Sequence, residues 1–144
     1  MLNVKIKKLD VNAKMPTYAH GGDACFDLYC TYGGVVPAHD SFLLTTGLAV
    51  EIPPLHVLRI FSRSGHGYKN GIRLSNIVGI LDANYRGEVF IKLHNDSDTD
   101  YYVDPGERVA QGCIDIVHPV KFQFAEQLSE TERGTAGLGS SGRL

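Results

Sequence analysis

The sequence predicts an all-β fold, a sandwich or jelly-roll-like β-barrel with one short helix and a flexible glycine-rich C-terminal tail. Three observations predict it. Apolar and polar residues alternate in short runs along most of the chain. Turn signals separate these runs at intervals of about 8–12 residues. No segment carries a sustained apolar stripe at helical spacing. The 144 residues make one domain of ordinary size, long enough to bury a core.

Taken in order, residues 2–9 alternate and read as a first strand. Residues 42–46 and 48–52 are two apolar-rich runs flanking Gly47. Residues 57–61, 89–93, 109–117 and 120–124 complete the series. Gly33-Gly34, Pro53-Pro54, Asn70-Gly71, Asn95-Asp96-Ser97-Asp98 and Asp104-Pro105-Gly106 supply the turns. Sixteen glycines and six prolines suit a chain that turns so often. One or two helical turns are expected after Ser62-Arg63-Ser64. Residues 133–144 are rich in glycine, with little to pack, and alone should be mobile.

Composition narrows the function. A net charge of −2 gives no general attraction to nucleic acid, so a polyanion would have to meet local arginines. No apolar run approaches the ~20 residues of a membrane span. The first residues lack the apolar stretch of a secretory signal, so an intracellular, cytoplasmic setting is expected, or the host-cell interior if the source is viral. Cys25, Cys30 and Cys113 are too few for a disulfide framework and too far apart in sequence for a zinc site. The six dispersed histidines read as structural or surface residues.

Four segments carry chemistry. In residues 79–88, a hairpin reading places Asp82 near the tip. Its carboxylate suits either a turn cap or the acceptance of a proton from water. Tyr85 offers a ring to a sugar face, and Arg86 with Glu88 reads equally as a surface charge pair. Arg63-Ser64-Gly65 closes a strand with a guanidinium fork, a hydroxyl and an unhindered backbone, groups that bind phosphate oxygens. Gln111 ends an alternating run that enters from Gly106-Glu107-Arg108. Asp23 and Asp27 flank a strand start, where capping and metal binding are both open.

In order and spacing these segments resemble the five motifs of the homotrimeric dUTPase family, the dUTP diphosphatases. The motifs are Asp23 to Leu28; Arg63-Ser64-Gly65; Gly79 to Gly87 preceded by Asn76; Gly106 to Gln111; and Arg133-Gly134 with Gly137 to Gly142. The resemblance implies hydrolysis of dUTP to dUMP and pyrophosphate, limiting uracil incorporation into DNA and supplying dUMP for thymidylate synthesis. It implies that Asp82 activates the water that attacks the α-phosphorus. Asn76 and the backbone of Gly79, Ile80 and Leu81 would read uracil, while Tyr85 would exclude a ribose 2′-hydroxyl. Arg63, Ser64, Gly65, Gln111, Arg133, Ser140 and Ser141 would hold the phosphates, with Leu138 and Gly139 over the base. Mg²⁺ would be held mainly by the triphosphate, with Asp27 reaching it through water. Residues 1–132 would form the barrel and 133–144 a lid of the same domain, and three subunits would share each active site.

Two residues depart from the family pattern. Leu138 stands where an aromatic ring usually stacks on uracil, and Cys25 stands where glycine is usual. Two other functions suit the same motifs. One is a regulatory or partner-binding protein that uses dUTP as its switch. The other is dCTP deamination, which needs a glutamate base where this chain has Asp82.

Overall fold

In a computed structural model, which describes residues 2–138, most of the alternating runs become antiparallel strands. The first sheet contains β1 (Lys5–Lys8), β4 (Ser41–Glu51), β8 (Glu88–Asn95) and β6 (Ile72–Leu74), in the order β1-β4-β8-β6. The second contains β2 (Phe26–Tyr29), β10 (Arg108–Ile116), β5 (His56–Phe61) and β7 (Val78–Asp82), in the order β2-β10-β5-β7. A smaller pair joins β3 (Gly34–Val36) to β9 (Tyr101–Val103). The only helix among the described residues is α1 (Ser64–Asn70), where the sequence places one.

Alternation explains the core. In β8, Val89, Ile91 and Leu93 are buried while Phe90 and Lys92 face out. They meet Leu28, Leu58 and Ile60 of the second sheet in one cluster. Each such side chain contributes about 1.5–3 kcal/mol on full burial. The buried Asn95 is fully paired: its amide donates to Val36 O and Thr99 O, and its Oδ1 accepts from the backbone and hydroxyl of Ser97.

The two runs flanking Gly47 are a single strand, β4, whose register against β8 shifts between Thr45 and Ala49. Gly47 makes this irregularity possible. Its φ is +65°, and a Cβ there would lie 2.7–2.9 Å from side-chain atoms of Asp10, Thr31 and Ala13. The Glu88 carboxylate accepts the freed Gly47 N–H at 2.8 Å.

Residues 120–124 differ more from expectation. Their alternation reads as a strand, yet they pair with none among the described residues. Phe122 is 90% exposed and Phe124 is wholly exposed. A strand needs a partner edge, and this stretch leaves the barrel after β10 without meeting one.

Candidate active site

The ladders of β10 assemble one pocket. Gln111 of β10 faces Asp27 of β2 on one side and Phe61 of β5 on the other. Arg63 and Ser64 follow β5 directly. Asp23, Cys25, Asp27, Arg63, Ser64, Gly65, Arg108 and Gln111 line a cavity of about 380 Å³. Asp27 is its electrostatic hinge. One carboxylate oxygen lies 3.3 Å from Arg63 Nε and the other 3.2 Å from Arg108 Nη1. Arg63 also donates to the Arg108 carbonyl at 2.9 Å, and Gln111 donates to the Ser62 carbonyl at 2.9 Å. Two guanidiniums thus stand side by side at a polar cavity, an arrangement suited to a polyphosphate.

His66 supports this clamp from behind. It is buried on α1, with Nε2 3.3 Å from Arg63 Nη1 and 3.2 Å from Glu107 Oε1. The Tyr101 hydroxyl donates to the same carboxylate, and Glu107 also accepts the Asp104 N–H. Burial, and then the Arg63 charge, hold the imidazole below its usual pKa, while Glu107 opposes them. Burial and Glu107 push the Tyr101 phenol up. When Nε2 accepts from Arg63, the ring proton sits on Nδ1, which is buried without a partner. The sequence alone showed no sign of this role, because a histidine three residues past an arginine has no distinctive spacing.

A second cavity lies around Asp82. The expected hairpin is instead a corner, because β7 belongs to the second sheet and β8 to the first. The chain changes sheets through residues 83–87, so the two strands splay apart. Ile80, Leu81, Asp82, Tyr85, Glu88 and Phe90 line about 260 Å³ between them. Asp82 ends β7, and its carbonyl accepts the Tyr85 N–H at 3.0 Å. The Tyr85 hydroxyl donates to the Glu88 carbonyl at 2.9 Å, which fixes the ring across the corner. Arg86 donates to the Ala83 and Tyr85 carbonyls, while Glu88 serves Gly47, so no Arg86–Glu88 pair forms. Phe90 is a lining residue that the motifs did not supply. Its signal was an aromatic at an outward position between the inward Val89 and Ile91.

Gly79 is pressed against Ile60 of β5, where an added Cβ would lie 3.1 Å from the Ile60 Cβ. Asn76 lies at the other end of β7 from Asp82 and lines neither cavity. Its carbonyl accepts the Val78 N–H at 2.6 Å across Ile77, a β-branched residue held at φ +65°. That tight γ-turn is strained. Arg133 donates to the Ala136 and Gly137 carbonyls, and Leu138 is fully exposed, so these two stand apart from both cavities. Gly139, Ser140 and Ser141 lie outside the described residues.

No cluster of three or more His, Cys, Asp or Glu side chains suited to a metal occurs among the described residues. Asp27, already engaged by two arginines, offers an outer contact and not a cage. This donor set fits a hard ion that keeps its waters and binds chiefly to phosphate oxygens.

A family model described as dUTPase matches residues 11–142. The chain belongs to the dUTPase family. A deoxyuridine 5′-triphosphate nucleotidohydrolase of Clostridium acetobutylicum is 41% identical over 142 residues, spanning 99% of this chain and 98% of the relative. One from Picosynechococcus is 39% identical over 141 residues, spanning 98% and 99%. Among solved structures, the dUTPase of Staphylococcus bacteriophage 80alpha with dUPNHPP matches with a TM-score of 0.91 and 28% identity, covering 99% of each chain. Arg108 lines the first cavity, and sequence reading passed over it as a site residue. It sat inside a motif quoted for its glycine and glutamine.

Proposed function

We propose that this chain hydrolyses dUTP to dUMP and pyrophosphate, with Asp82 as the general base. The observation that carries this reading is the splayed corner, which sets a carboxylate at the end of β7 beside a fixed tyrosine ring and a nucleoside-sized gap. Deoxyuridine enters between β7 and β8. The backbone of Gly79, Ile80 and Leu81 reads the uracil edge. A cytosine amino group leaves polar groups unpaired there. Tyr85 lies along the deoxyribose and excludes a 2′-hydroxyl.

Asp82 orients a water and takes its proton as the oxygen attacks the α-phosphorus. The bond from that phosphorus to the β-phosphate bridging oxygen breaks, and pyrophosphate leaves. Arg63, Arg108, Ser64, Gly65 and Gln111 hold the phosphates and offset charge that develops in the transition state. Mg²⁺ would be held mainly by the triphosphate, with Asp27 reaching it through water, and would supply further charge neutralisation. Residues 133–144 close as a lid, bringing Arg133, Ser140 and Ser141 to the phosphates and Leu138 with Gly139 to the base.

The β5 register supports sharing of sites between subunits. Val57 pairs with Asp82 at one end of β5, and Phe61 pairs with Val78 at the other, just before Arg63. At about 3.3 Å per residue, the base and the clamp of one chain stand some 20 Å apart along the strand. One triphosphate does not span both. A homotrimer joins the corner of one subunit to the clamp of the next, and the exposed Val120, Phe122 and Phe124 offer a surface for that association. No helix among the described residues is long and apolar enough to cross a membrane, and a cytoplasmic setting is proposed on the family's bacterial members.

The test is Asp82→Asn. It should lower pyrophosphate release from dUTP by about 10²–10⁴-fold while a non-hydrolysable dUTP analogue still binds. If wild type releases no pyrophosphate from dUTP with Mg²⁺, or releases it equally from UTP and dTTP, the reading fails.

A further inference from the structure

All three cysteines are free thiols. Cys30 is buried and donates to the Asp104 carbonyl. The other two meet across a ladder. β2 pairs with β10 as Asp27 to Gln111 and Phe26 to Gly112, so the next step outward sets Cys25 against Cys113.

Both side chains point away from the core. A Cβ at Gly112 would lie 2.9 Å from the Phe26 ring and 3.0 Å from Leu58, so the Phe26–Gly112 pair faces inward. Alternation turns the cysteine pair to the opposite face, the face of Asp27 and Gln111. Cys25 accordingly lines the phosphate pocket with them.

The hydrogen-bond phase favours close approach. Asp27 N–H bonds Thr17 O on the far side of β2 from β10. Asp27–Gln111 is therefore a non-hydrogen-bonded pair, Phe26–Gly112 a hydrogen-bonded one, and Cys25–Cys113 non-hydrogen-bonded again. At such sites Cα atoms stand about 4.5 Å apart with side chains closest. That separation lies within the roughly 4.4–6.8 Å a disulfide requires. Electrostatics agree that the thiols are neighbours. Burial, then Asp115, then Cys25 push the Cys113 thiol up to about 11.

We propose that Cys25 and Cys113 form an oxidisable dithiol, a modification site at which a hydroperoxide creates a disulfide that reshapes the wall of the phosphate pocket. Cys25, at the pocket, meets the oxidant. Its sulfur attacks the peroxide's terminal oxygen, the O–O bond breaks, and an alcohol (or water, from hydrogen peroxide) leaves with the thiol proton. Cys25 is then a sulfenic acid. The Cys113 sulfur displaces the hydroxyl, which departs as water with the Cys113 proton, and the S–S bond forms. Two electrons pass from the sulfurs to the peroxide. The bond draws Cys25 toward β10 by about 1 Å, since facing Cβ atoms are wider apart than those of a disulfide. Cys25 is two residues from Asp27, so the pocket wall moves with it. The consequence for dUTP rests on the phosphate role proposed above; the cross-link does not.

The experiment treats wild type and Cys113→Ser with hydrogen peroxide. The readouts are intact mass, free-thiol titration, peptide mapping and dUTP kinetics, before and after a dithiol reductant. Wild type should lose two hydrogens and fall from three titratable thiols to one. A Cys25–Cys113 peptide should appear, and the Michaelis constant for dUTP should rise severalfold and recover on reduction. Cys113→Ser should start with wild-type kinetics and show no such reversible rise. Three thiols remaining, a gain of oxygen atoms without a cross-link, or a cross-link between chains overturns the site. A mapped disulfide with an unchanged Michaelis constant overturns its effect on the pocket. If the disulfide forms but no pyrophosphate is ever released from dUTP, the dithiol stands and the hydrolase reading falls.

Discussion

Replacing Asp27 with asparagine removes one negative charge from between two guanidiniums and keeps the side chain's shape. At 3.2–3.3 Å and an effective dielectric near 20, each pair has roughly 4–5 kcal/mol of Coulomb attraction before desolvation is counted. The Asp27 side chain is 13% exposed, Arg63 25% and Arg108 47%. The pairs therefore fall between exposed bridges, at about 0.2–1 kcal/mol, and fully buried ones, whose disruption costs about 3–5 kcal/mol. Around 1 kcal/mol each, or about 2 kcal/mol together, is the expected loss. For a domain of this size that lowers the melting temperature by roughly 4–8 °C. The assay is thermal unfolding at fixed protein concentration, with and without a non-hydrolysable dUTP analogue, in chelator and in Mg²⁺. Without analogue the variant melts earlier. With analogue and no metal it recovers more than wild type gains, because the triphosphate replaces the missing counter-charge. In turnover, more Mg²⁺ should be needed for half-saturation if Asp27 reaches the ion through water as proposed. An unchanged melting temperature together with an unchanged Mg²⁺ requirement would refute the placement of Asp27 at the centre of the clamp.

Other perturbations have equally direct readouts. His66→Leu should flatten the loss of stability toward acid. Above the usual histidine value of 6.5 both folded and unfolded imidazoles are neutral, and below it the unfolded chain takes up a proton that the buried ring resists, so wild-type stability falls with pH. Urea midpoints at about pH 5.5 and 7.5 measure this, and equal slopes in both proteins would exclude His66 as the source. Gly79→Ala should cost about 1–3 kcal/mol, since the new methyl meets a backbone-anchored Cβ of Ile60. A calorimetric melting temperature within error of wild type would contradict that contact. Leu138→Phe should lower the Michaelis constant for dUTP or raise turnover, because base–aromatic stacking contributes about 1–3 kcal/mol. Steady-state kinetics with no gain in either would remove the tail residue from the site.

Much of the barrel was legible because two-sheet burial imposes a period of two. β5, β8 and β10 emerge from their alternation alone, and α1 from the break after Ser62. β4 was read as two runs because Gly47 interrupts the apolar pattern; the glycine absorbs an irregularity inside one strand. The 120–124 run shows the limit of periodicity, which reports a face to be covered but not the edge that pairs with it. For the site, the family motifs gathered the lining residues that composition left scattered. The corner at residues 83–87 was not legible, since a hairpin and a change of sheet use the same turn residues. Arg108 was missed because its contact to Asp27 joins distant parts of the chain, and His66 because Glu107 is equally distant from it while its spacing from Arg63 is not distinctive.

The span of β5 has a consequence for dosage. If, as proposed, Asp82 accepts the proton at one end of the strand and Arg63 with Arg108 holds the phosphates at the other, a lone chain would hold two half-sites that do not serve each other. Specific activity should then fall more steeply than protein concentration on dilution. Mixing a chain disabled at Asp82 with one disabled at Arg63 should restore turnover that neither has alone. Output would track the chance that copies meet, which gives the enzyme a threshold of abundance below which it is nearly silent.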